Sequence, residues 1–82
     1  MQQLDKKNLE KFGKIVRKIR EEKFSSLNKC AFQKGGITSA TLSRIENGLV
    51  DFKFSTLLRL SMVLEVPLPE LLKDFEYKYE LD

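Results

Sequence analysis

The chain has 82 residues and a net charge of +3, and 41% of its residues are hydrophobic while 33% are charged, as in an ordinary soluble globular domain. This length fits one domain over residues 1–82 and excludes a deep substrate cleft between two domains. With no histidine and one cysteine, the chain offers no histidine general base, no His/Cys metal cluster and no internal disulfide, so we expect neither an enzyme nor a cofactor.

The first predicted element is an amphipathic helix over residues 8–23. Its inward stripe recurs at helical spacing and consists of Leu9, Phe12, Ile15, Val16 and Ile19. Its opposite face carries the bases Lys11, Lys14, Arg17, Lys18 and Arg20. These bases form either a surface that contacts phosphates or an ordinary solvated face.

A short second helix is predicted over residues 26–34. Ser25 or Ser26 can cap its start. Gly35-Gly36 ends it, because glycine readily adopts the left-handed conformation found at helix C-termini. The inward-facing residues are Leu27, Cys30 and Ala31, which favours a buried structural thiol over a redox sensor at the cysteine.

Thr38 can cap a third helix that runs to about Asn47, where Asn47-Gly48 ends it by the same left-handed turn. The inward stripe of this helix is Ile37, Thr41, Leu42 and Ile45. Small or polar side chains and one arginine share the outward face, namely Ser39, Ala40, Ser43, Arg44 and Asn47. We expect Glu46 to pair with a local base other than Arg44, which lies on a different face.

A fourth helix is predicted over residues 54–65. Because it is apolar on most sides, we expect it to be the most buried element, with Met62 filling the core. Pro67 and Pro69 follow it, and proline both ends a helix and fits the first turn of the next one. The final helix is predicted over residues 68–75.

Residues 76–82 change period, since Tyr77, Tyr79 and Leu81 alternate with charged residues. Strict alternation is typical of a strand, and a lone strand leaves its backbone groups unpaired. We therefore predict a short C-terminal β-strand that pairs with its copy in a second subunit, with dimer contacts from Leu71, Phe75, Tyr77 and Tyr79. The alternative is a frayed tail.

Two predicted helices joined by a glycine-containing turn, over about residues 26–47, fit the helix-turn-helix arrangement. The second helix of such a pair can enter the major groove of DNA, which is about 12 Å wide. Its small outward side chains allow close approach, and Arg44 can bond guanine O6 and N7 as a fork. Every amphipathic helix has a polar outer face, so this geometry alone leaves a solvated surface helix open.

Longer stretches carry a more specific pattern, namely IVRKIREEK at residues 15–23, ATLSRIENG at residues 40–48 and FSTLLRLSMVLEVPLPELL at residues 54–72. Together they resemble the phage-repressor (Cro/repressor, XRE-like) type of helix-turn-helix family over about residues 12–75. The resemblance implies an all-α, compact five-helix, lambda-repressor-like domain. It also implies a homodimer that binds duplex DNA and represses transcription.

In that family the start of the third helix enters the major groove, which implies base-reading roles for Thr38, Ser39, Ala40, Ser43 and Arg44. The end of that helix and the following loop touch phosphates, which implies this role for Asn47 and Lys53. The start of the domain often flanks the DNA backbone in the family, so we expect further phosphate contacts from Lys14 and Arg17.

Three positions depart from the family pattern. Leu27 stands where the family has a glutamine that contacts a phosphate, so that contact is missing. Gly35-Gly36 puts one more residue in the turn than usual, which either re-aims the third helix or lengthens the second. The loop after Gly48 is apolar rather than basic, and we expect it to pack on the core, with a dimer patch as the alternative: Leu49, Val50 and Phe52.

The charge is unevenly distributed along the chain. Residues 1–44 carry eleven bases and four acids, a net charge of +7, while residues 45–82 carry four bases and eight acids, a net charge of −4. A basic half beside an acidic half favours contact with an anionic polymer through the first half.

The leading hypothesis is a sequence-specific transcriptional regulator, a repressor that binds a pseudo-palindromic operator in double-stranded DNA as a homodimer. The alternative is an antitoxin or other protein-interaction module that neutralises a partner protein, such as a toxin or co-regulator, and regulates its own operon. No apolar run approaches the ~18 residues of a membrane span, and residues 1–12 lack the apolar segment of a signal peptide. We therefore expect a cytoplasmic protein without membrane contact.

Overall fold

The computed structural model describes residues 3–24 and 36–77, and these two ranges hold four α-helices and no strand. The helices are α1 (Gln3–Lys23), α2 (Ser39–Glu46), α3 (Phe54–Val63) and α4 (Leu68–Leu72). The predicted all-α class is confirmed. The helix predicted over residues 26–34 lies outside the described residues, and with it the count of five helices. Within the described ranges, no helix is both long and apolar enough to cross a bilayer.

The first helix begins at Gln3, five residues before the predicted start. Asp5 lies in its first turn and Arg20 in its last, where each charge interacts favourably with the helix dipole. The row that faces the interior is Phe12, Val16 and Arg20, which lie four residues apart and are all buried. Leu9, Ile15 and Ile19 are only half-buried at the sides of this row.

The core lies where α1, α2, α3 and α4 meet. Each of its larger side chains contributes roughly 1.5–3 kcal/mol when fully buried. Its nine buried hydrophobic residues are Phe12, Val16, Ile37, Leu42, Ile45, Leu60, Val63, Leu64 and Leu71. The predicted inward stripe of α2 is therefore buried at three positions, while Thr41 is half-buried.

An aromatic cluster closes the core on the side of the connector between α2 and α3. The rings of Phe52 and Phe75 both pack on Phe12, with centroids 5.6 Å apart in each pair, and Tyr77 stacks on Phe75 at 5.8 Å. The prediction that the connector packs on the core is confirmed for Val50 and Phe52, which are half-buried against it. It is wrong for Leu49, which is 64% exposed.

Only part of the predicted dimer interface lies within the described residues. Leu71 is fully buried in the core of a single chain, so it has no surface left for a second subunit. Phe75 is half-buried and Tyr77 is exposed. Glu76 and Tyr77 are not in a strand, while Tyr79 and the rest of the predicted strand lie outside the described residues.

The prediction that residues 54–65 form the most buried element is wrong. One side of α3 supplies Leu60 and Val63 to the core, but Phe54 is 67% exposed, Leu58 41% and Met62 55%. Met62 is therefore not core filler. In this structure the core covers only one side of α3. Phe54, Leu58 and Met62, which recur every four residues along the helix, therefore face outward.

Both α2 and α3 end in the same hydrogen-bonding arrangement. After α3, Glu65 N–H donates to Met62 O and Val66 N–H donates to Ser61 O at 3.0 Å, which is the Schellman pattern. Glu65 takes the left-handed position, with φ of 59°, where glycine is usual. Lys23 Nζ lies 3.1 Å from Glu65 O and ties this turn to the end of α1.

Candidate nucleic-acid interface

The start of α2 is fixed by a side-chain cap. Thr38 has extended backbone angles, and its Oγ1 accepts a hydrogen bond from Thr41 N–H at 3.1 Å. The same hydroxyl lies 3.0 Å from Thr41 Oγ1, to which it donates. The predicted capping role of Thr38 is confirmed. Because both of these bonds hold its hydroxyl, Thr38 presents mainly its methyl group and one remaining lone pair outward.

The predicted outward face of α2 lies together on one side of the helix. Ala40 and Arg44, one turn apart, are exposed, while Ser39 and Ser43 are half-buried beside them. No ion pair joins Arg44 to an acidic group in residues 5–24 or 36–77. A single long cation therefore stands among small side chains, which leaves room for another surface to approach the α2 backbone.

The end of α2 turns sharply at Gly48, which has φ of 68°. Gly48 N–H donates to Ile45 O at 3.1 Å and Leu49 N–H donates to Arg44 O at 2.9 Å. A Cβ atom at Gly48 would lie 2.7 Å from Glu10 Cα, so glycine is required here both by its backbone angle and by the close approach of α1.

Asn47 occupies the C-cap of α2, and its side chain folds back onto the helix. Its Nδ2 donates to Ser43 O at 2.8 Å, and its backbone N–H donates to the same oxygen at 3.1 Å. One amide hydrogen of the exposed side chain remains available to an outside acceptor.

Gly13 allows α1 to lie directly against the last turn of α2. A Cβ atom at this position would lie 2.5 Å from both Ile45 O and Glu46 O, closer than any real contact. Sequence reasoning missed this residue. The available signal was a glycine inside an amphipathic helix. Glycine in a helix is about 1 kcal/mol less favourable than alanine, so its presence indicates that another group packs closely against the helix there.

A buried carboxylate joins the same two helices. The side chain of Glu46 is 1% exposed, and both of its oxygens accept from Arg20 at 2.8 Å, Oε2 from Nε and Oε1 from Nη2. Arg17 Nε adds a longer bond of 3.3 Å to Oε1. This bidentate geometry is the strong form of an arginine–carboxylate pair.

These contacts correct two predictions, one for Glu46 of α2 and one for Arg20 of α1. Glu46 does pair with bases other than Arg44, but the bases come from α1 rather than from its own neighbourhood in the chain. Arg20 does not lie on the solvent face, because its side chain is only 10% exposed. Arg17 is 51% exposed, so it holds Glu46 while part of its guanidinium still faces outward.

The other predicted phosphate contacts lie at the surface. Lys14 is exposed and directly follows Gly13, where the α1 backbone lies against the last turn of α2. Lys53 is exposed at the N-cap of α3, where its side chain makes no capping bond. Lys14, Arg17 and Asn47 therefore belong to two helices that touch, whereas Lys53 stands on the connector beyond them.

The helix-turn-helix family matches residues 31–71, which is half of the chain and includes all of α2 and α3. The chain belongs to this family, in its Cro/repressor type. A member of it is a DNA-binding transcription regulator. No curated protein is significantly similar to this helix-turn-helix chain.

Several solved structures resemble this helix-turn-helix protein, among them the three that follow. The restriction-modification controller protein C.AhdI from Aeromonas hydrophila is 27% identical, with a TM-score of 0.73 over 80% of this chain and 94% of that one. The clp gene regulator ClgR from C. glutamicum is 21% identical, with a TM-score of 0.70 over 80% and 84%, and shows the fold alone. ComR from Streptococcus suis is 28% identical, with a TM-score of 0.65 over 84% of this chain and 22% of that larger one.

Proposed function

We propose that the protein is a sequence-specific regulator whose α2 reads duplex DNA in the major groove. The observation that carries this proposal is the outward face of α2, where Arg44 stands exposed beside Ala40 and makes no ion pair with any described acidic group. The likeness to the restriction-modification controller protein also supports a regulatory role.

Each residue of this face has a distinct proposed role. Arg44 donates a bidentate pair of hydrogen bonds to guanine O6 and N7, the commonest specific contact in the major groove. Ser39 and Ser43 contact base edges through short hydroxyls, and Ala40 contacts the methyl group of thymine. Thr38 offers its methyl group to the same groove, because its hydroxyl is held in the helix cap.

Phosphate contacts set the position of α2 along the groove. We assign them to Lys14, Arg17, Asn47 and Lys53, which are exposed near the C-terminal end of α2 and on the connector. Such contacts orient a protein on duplex DNA without distinguishing sequences. Each phosphate neutralised contributes a slope of about −0.9 to the logarithmic dependence of the binding constant on salt.

The complete regulator in this proposal is a homodimer that represses transcription by occupying its operator. A two-fold dimer presents two copies of α2 to half-sites about 34 Å apart, which makes the operator a pseudo-palindrome. One domain over residues 1–82 carries both the DNA-reading helix and the dimer contacts.

The test begins with selection of binding sequences from a pool of randomised duplexes. The Arg44→Ala variant is expected to lose about 1–3 kcal/mol of binding free energy on the selected site and little on random duplex. Lys14→Ala is expected to weaken binding to both equally and to reduce the salt slope by about 1. Lys73→Ala, which removes one exposed positive charge at the end of α4 that is not among the proposed DNA contacts, is the control and should alter neither.

Two results would count against the proposal. Equal losses for Arg44→Ala on selected and random duplex would reduce Arg44 to a phosphate contact. Failure to enrich any sequence, together with salt-insensitive binding, would instead favour the alternative of a protein-interaction module such as an antitoxin, whose outward α2 face contacts a protein.

A further inference from the structure

A cleft of about 280 Å³ opens between the first half of α1 and the connector that joins α2 to α3, and we call it the aromatic cleft. One face of α1 forms its first wall, with residues at helical spacing: Asp5, Asn8, Leu9 and Phe12. Exposure falls along this wall, because Asp5 is exposed and Phe12 is buried. The aromatic cleft therefore has an open acidic end and a buried apolar end.

Phenylalanine rings form the apolar end. Phe52 and Phe75 line the cleft together with Phe12, and both pack on Phe12 with ring centroids 5.6 Å apart. Leu57 and Leu72, which are half-buried, add aliphatic surface to the same lining. Aromatic and aliphatic side chains are the usual lining of small-molecule sites, whose volumes begin at about 300 Å³. The aromatic cleft thus has the lining of such a site and a volume close to the lower limit.

Two carboxylates lie at the open end. Asp5, in the first turn of α1, and Asp51, on the connector, are both exposed and both line the cleft. Neither makes an ion pair with a basic group in residues 5–24 or 36–77. An ionised carboxylate only accepts hydrogen bonds, so this end of the cleft favours a donor that carries positive charge.

A second cleft of about 490 Å³, between the end of α1 and α4, shows that this charge preference is not general. Three bases and three acids line it, and two of them, Lys73 and Glu70, already pair with each other at 2.8 Å. Its lining therefore favours neither sign of charge. In the aromatic cleft the described lining includes two acids and no base.

We propose that the aromatic cleft binds a small organic cation, an aromatic ring with a primary ammonium group on a short alkyl chain. The ring packs against Phe52 and Phe75, where contacts between rings add to the effect of buried area. The ammonium group has three N–H donors and shares them between Asp5 and Asp51. The volume of the cleft limits the ligand to about one ring and its chain. This binding site goes beyond the DNA-reading role of α2 and does not rest on it.

The test uses phenethylamine as the probe and follows the backbone amide signals of the full chain by NMR. We expect saturable shifts centred on Phe52, Leu57 and Phe75, with a dissociation constant of about 0.1–1 mM for a probe of this size. Two further probes have the same ring, since phenethyl alcohol is uncharged and hydrocinnamate is negatively charged. Each should bind at least about 10-fold more weakly than the amine, because it makes no ion pair with the two carboxylates.

Substitutions at the acidic end remove charge and keep the shape of the side chain. Asp5→Asn and Asp51→Asn should each raise the dissociation constant of phenethylamine by about 3-fold, and the double variant by about 10-fold. Binding of phenethyl alcohol should stay the same in these variants. Glu21→Gln is the matched control, because it removes one exposed charge from α1 about 24 Å along the helix from Asp5 and should change nothing. Circular dichroism checks that each variant is folded.

Each outcome decides the proposal. Shifts that do not saturate, or that centre away from the aromatic cleft, overturn it. Equal affinity for amine and alcohol, or an unchanged constant in the double variant, also overturns it. An effect of Glu21→Gln as large as that of Asp51→Asn would overturn it by showing attraction to net charge alone.

Two controls keep the test decisive. Shifts of the same signals on raising the protein concentration, without a response to the amine, would show that a second copy of the chain fills the cleft and would overturn the proposal. If one aspartate variant is unfolded, the other variant and the comparison of amine with alcohol still decide it.

Discussion

Replacing Glu46 with glutamine is expected to destabilise the domain by about 3–5 kcal/mol, the usual effect of removing one partner from a buried ion pair. The Glu46 side chain is 1% exposed, and its principal partner Arg20 is 10% exposed. Glutamine keeps the shape and one acceptor oxygen, but it removes the negative charge and sets an NH₂ group against the guanidinium. A chain of this size is stabilised by only about 4–12 kcal/mol, so much of the margin would be lost.

The free energy of unfolding is measured by urea titration, followed by the circular dichroism of the helices. If the dependence of this free energy on urea concentration, the slope m, is the same for Glu46→Gln and wild type, both proteins unfold between comparable states. Glu70→Gln is the matched control, because Glu70 Oε1 accepts from Lys73 Nζ at 2.8 Å but the two side chains are 53% and 59% exposed. The hydrogen bond and charge of Lys73 lower the pKa of the Glu70 carboxyl, yet solvent screens this pair, so the control should change stability very little.

A double-mutant cycle with Arg20→Met isolates the interaction itself. We expect a coupling energy of about 2–3 kcal/mol between positions 20 and 46. If Glu46→Gln cost no more than Glu70→Gln, the inference from burial to energy would be refuted, and Arg20 would have to reach solvent when Glu46 loses its charge.

Three further substitutions have expected outcomes. Gly13→Ala should destabilise the domain by about 1–3 kcal/mol, because the added Cβ meets Glu46 O, and this outweighs the better helix propensity of alanine. A variant that is more stable than wild type in the urea titration would contradict this. Glu65→Gly should raise the free energy of unfolding by up to about 1 kcal/mol, because glycine adopts the left-handed backbone conformation of this position without strain. The melting temperature should rise, and a lower melting temperature would show that Glu65 is not strained. Arg17→Ala should cost about 1 kcal/mol of stability or less while reducing the salt slope of DNA binding, and an unchanged slope would remove Arg17 from the phosphate contacts.

The bounds of α2 were predictable because local chemistry defines both of its ends. Thr38 caps the start, because its hydroxyl accepts a hydrogen bond from the backbone N–H of Thr41, three residues later. Gly48 ends the helix in the left-handed conformation. Both signals can be recognised from residues next to the helix ends in the sequence. The position of Arg20 was not predictable in this way, since its partner Glu46 is 26 residues away. Its place in the row with Phe12 and Val16 was the one available local signal.

The orientation of α3 illustrates a second limit of sequence patterns. Leu60 and Leu64 lie four residues apart, as do Phe54, Leu58 and Met62, and both rows are apolar. A helical period identifies each row equally well, but only the packing of the whole domain decides which one enters the core. Here the row containing Leu60 is buried, and the other is exposed.

The contacts between α1 and α2 have a consequence for reading DNA. Gly13 brings the α1 backbone against Glu46 O, and the carboxylate of Glu46 accepts from both Arg20 and Arg17. Two helices held by backbone contact and a buried ion pair move together, so in the proposed complex with DNA a phosphate bound by Arg17 also fixes α2 in the groove. In that proposal Arg17 links phosphate contact to base reading through the Glu46 carboxylate that it shares with Arg20. Glu46→Gln should therefore lower binding to the selected site more than binding to random duplex, even at temperatures where the variant is fully folded.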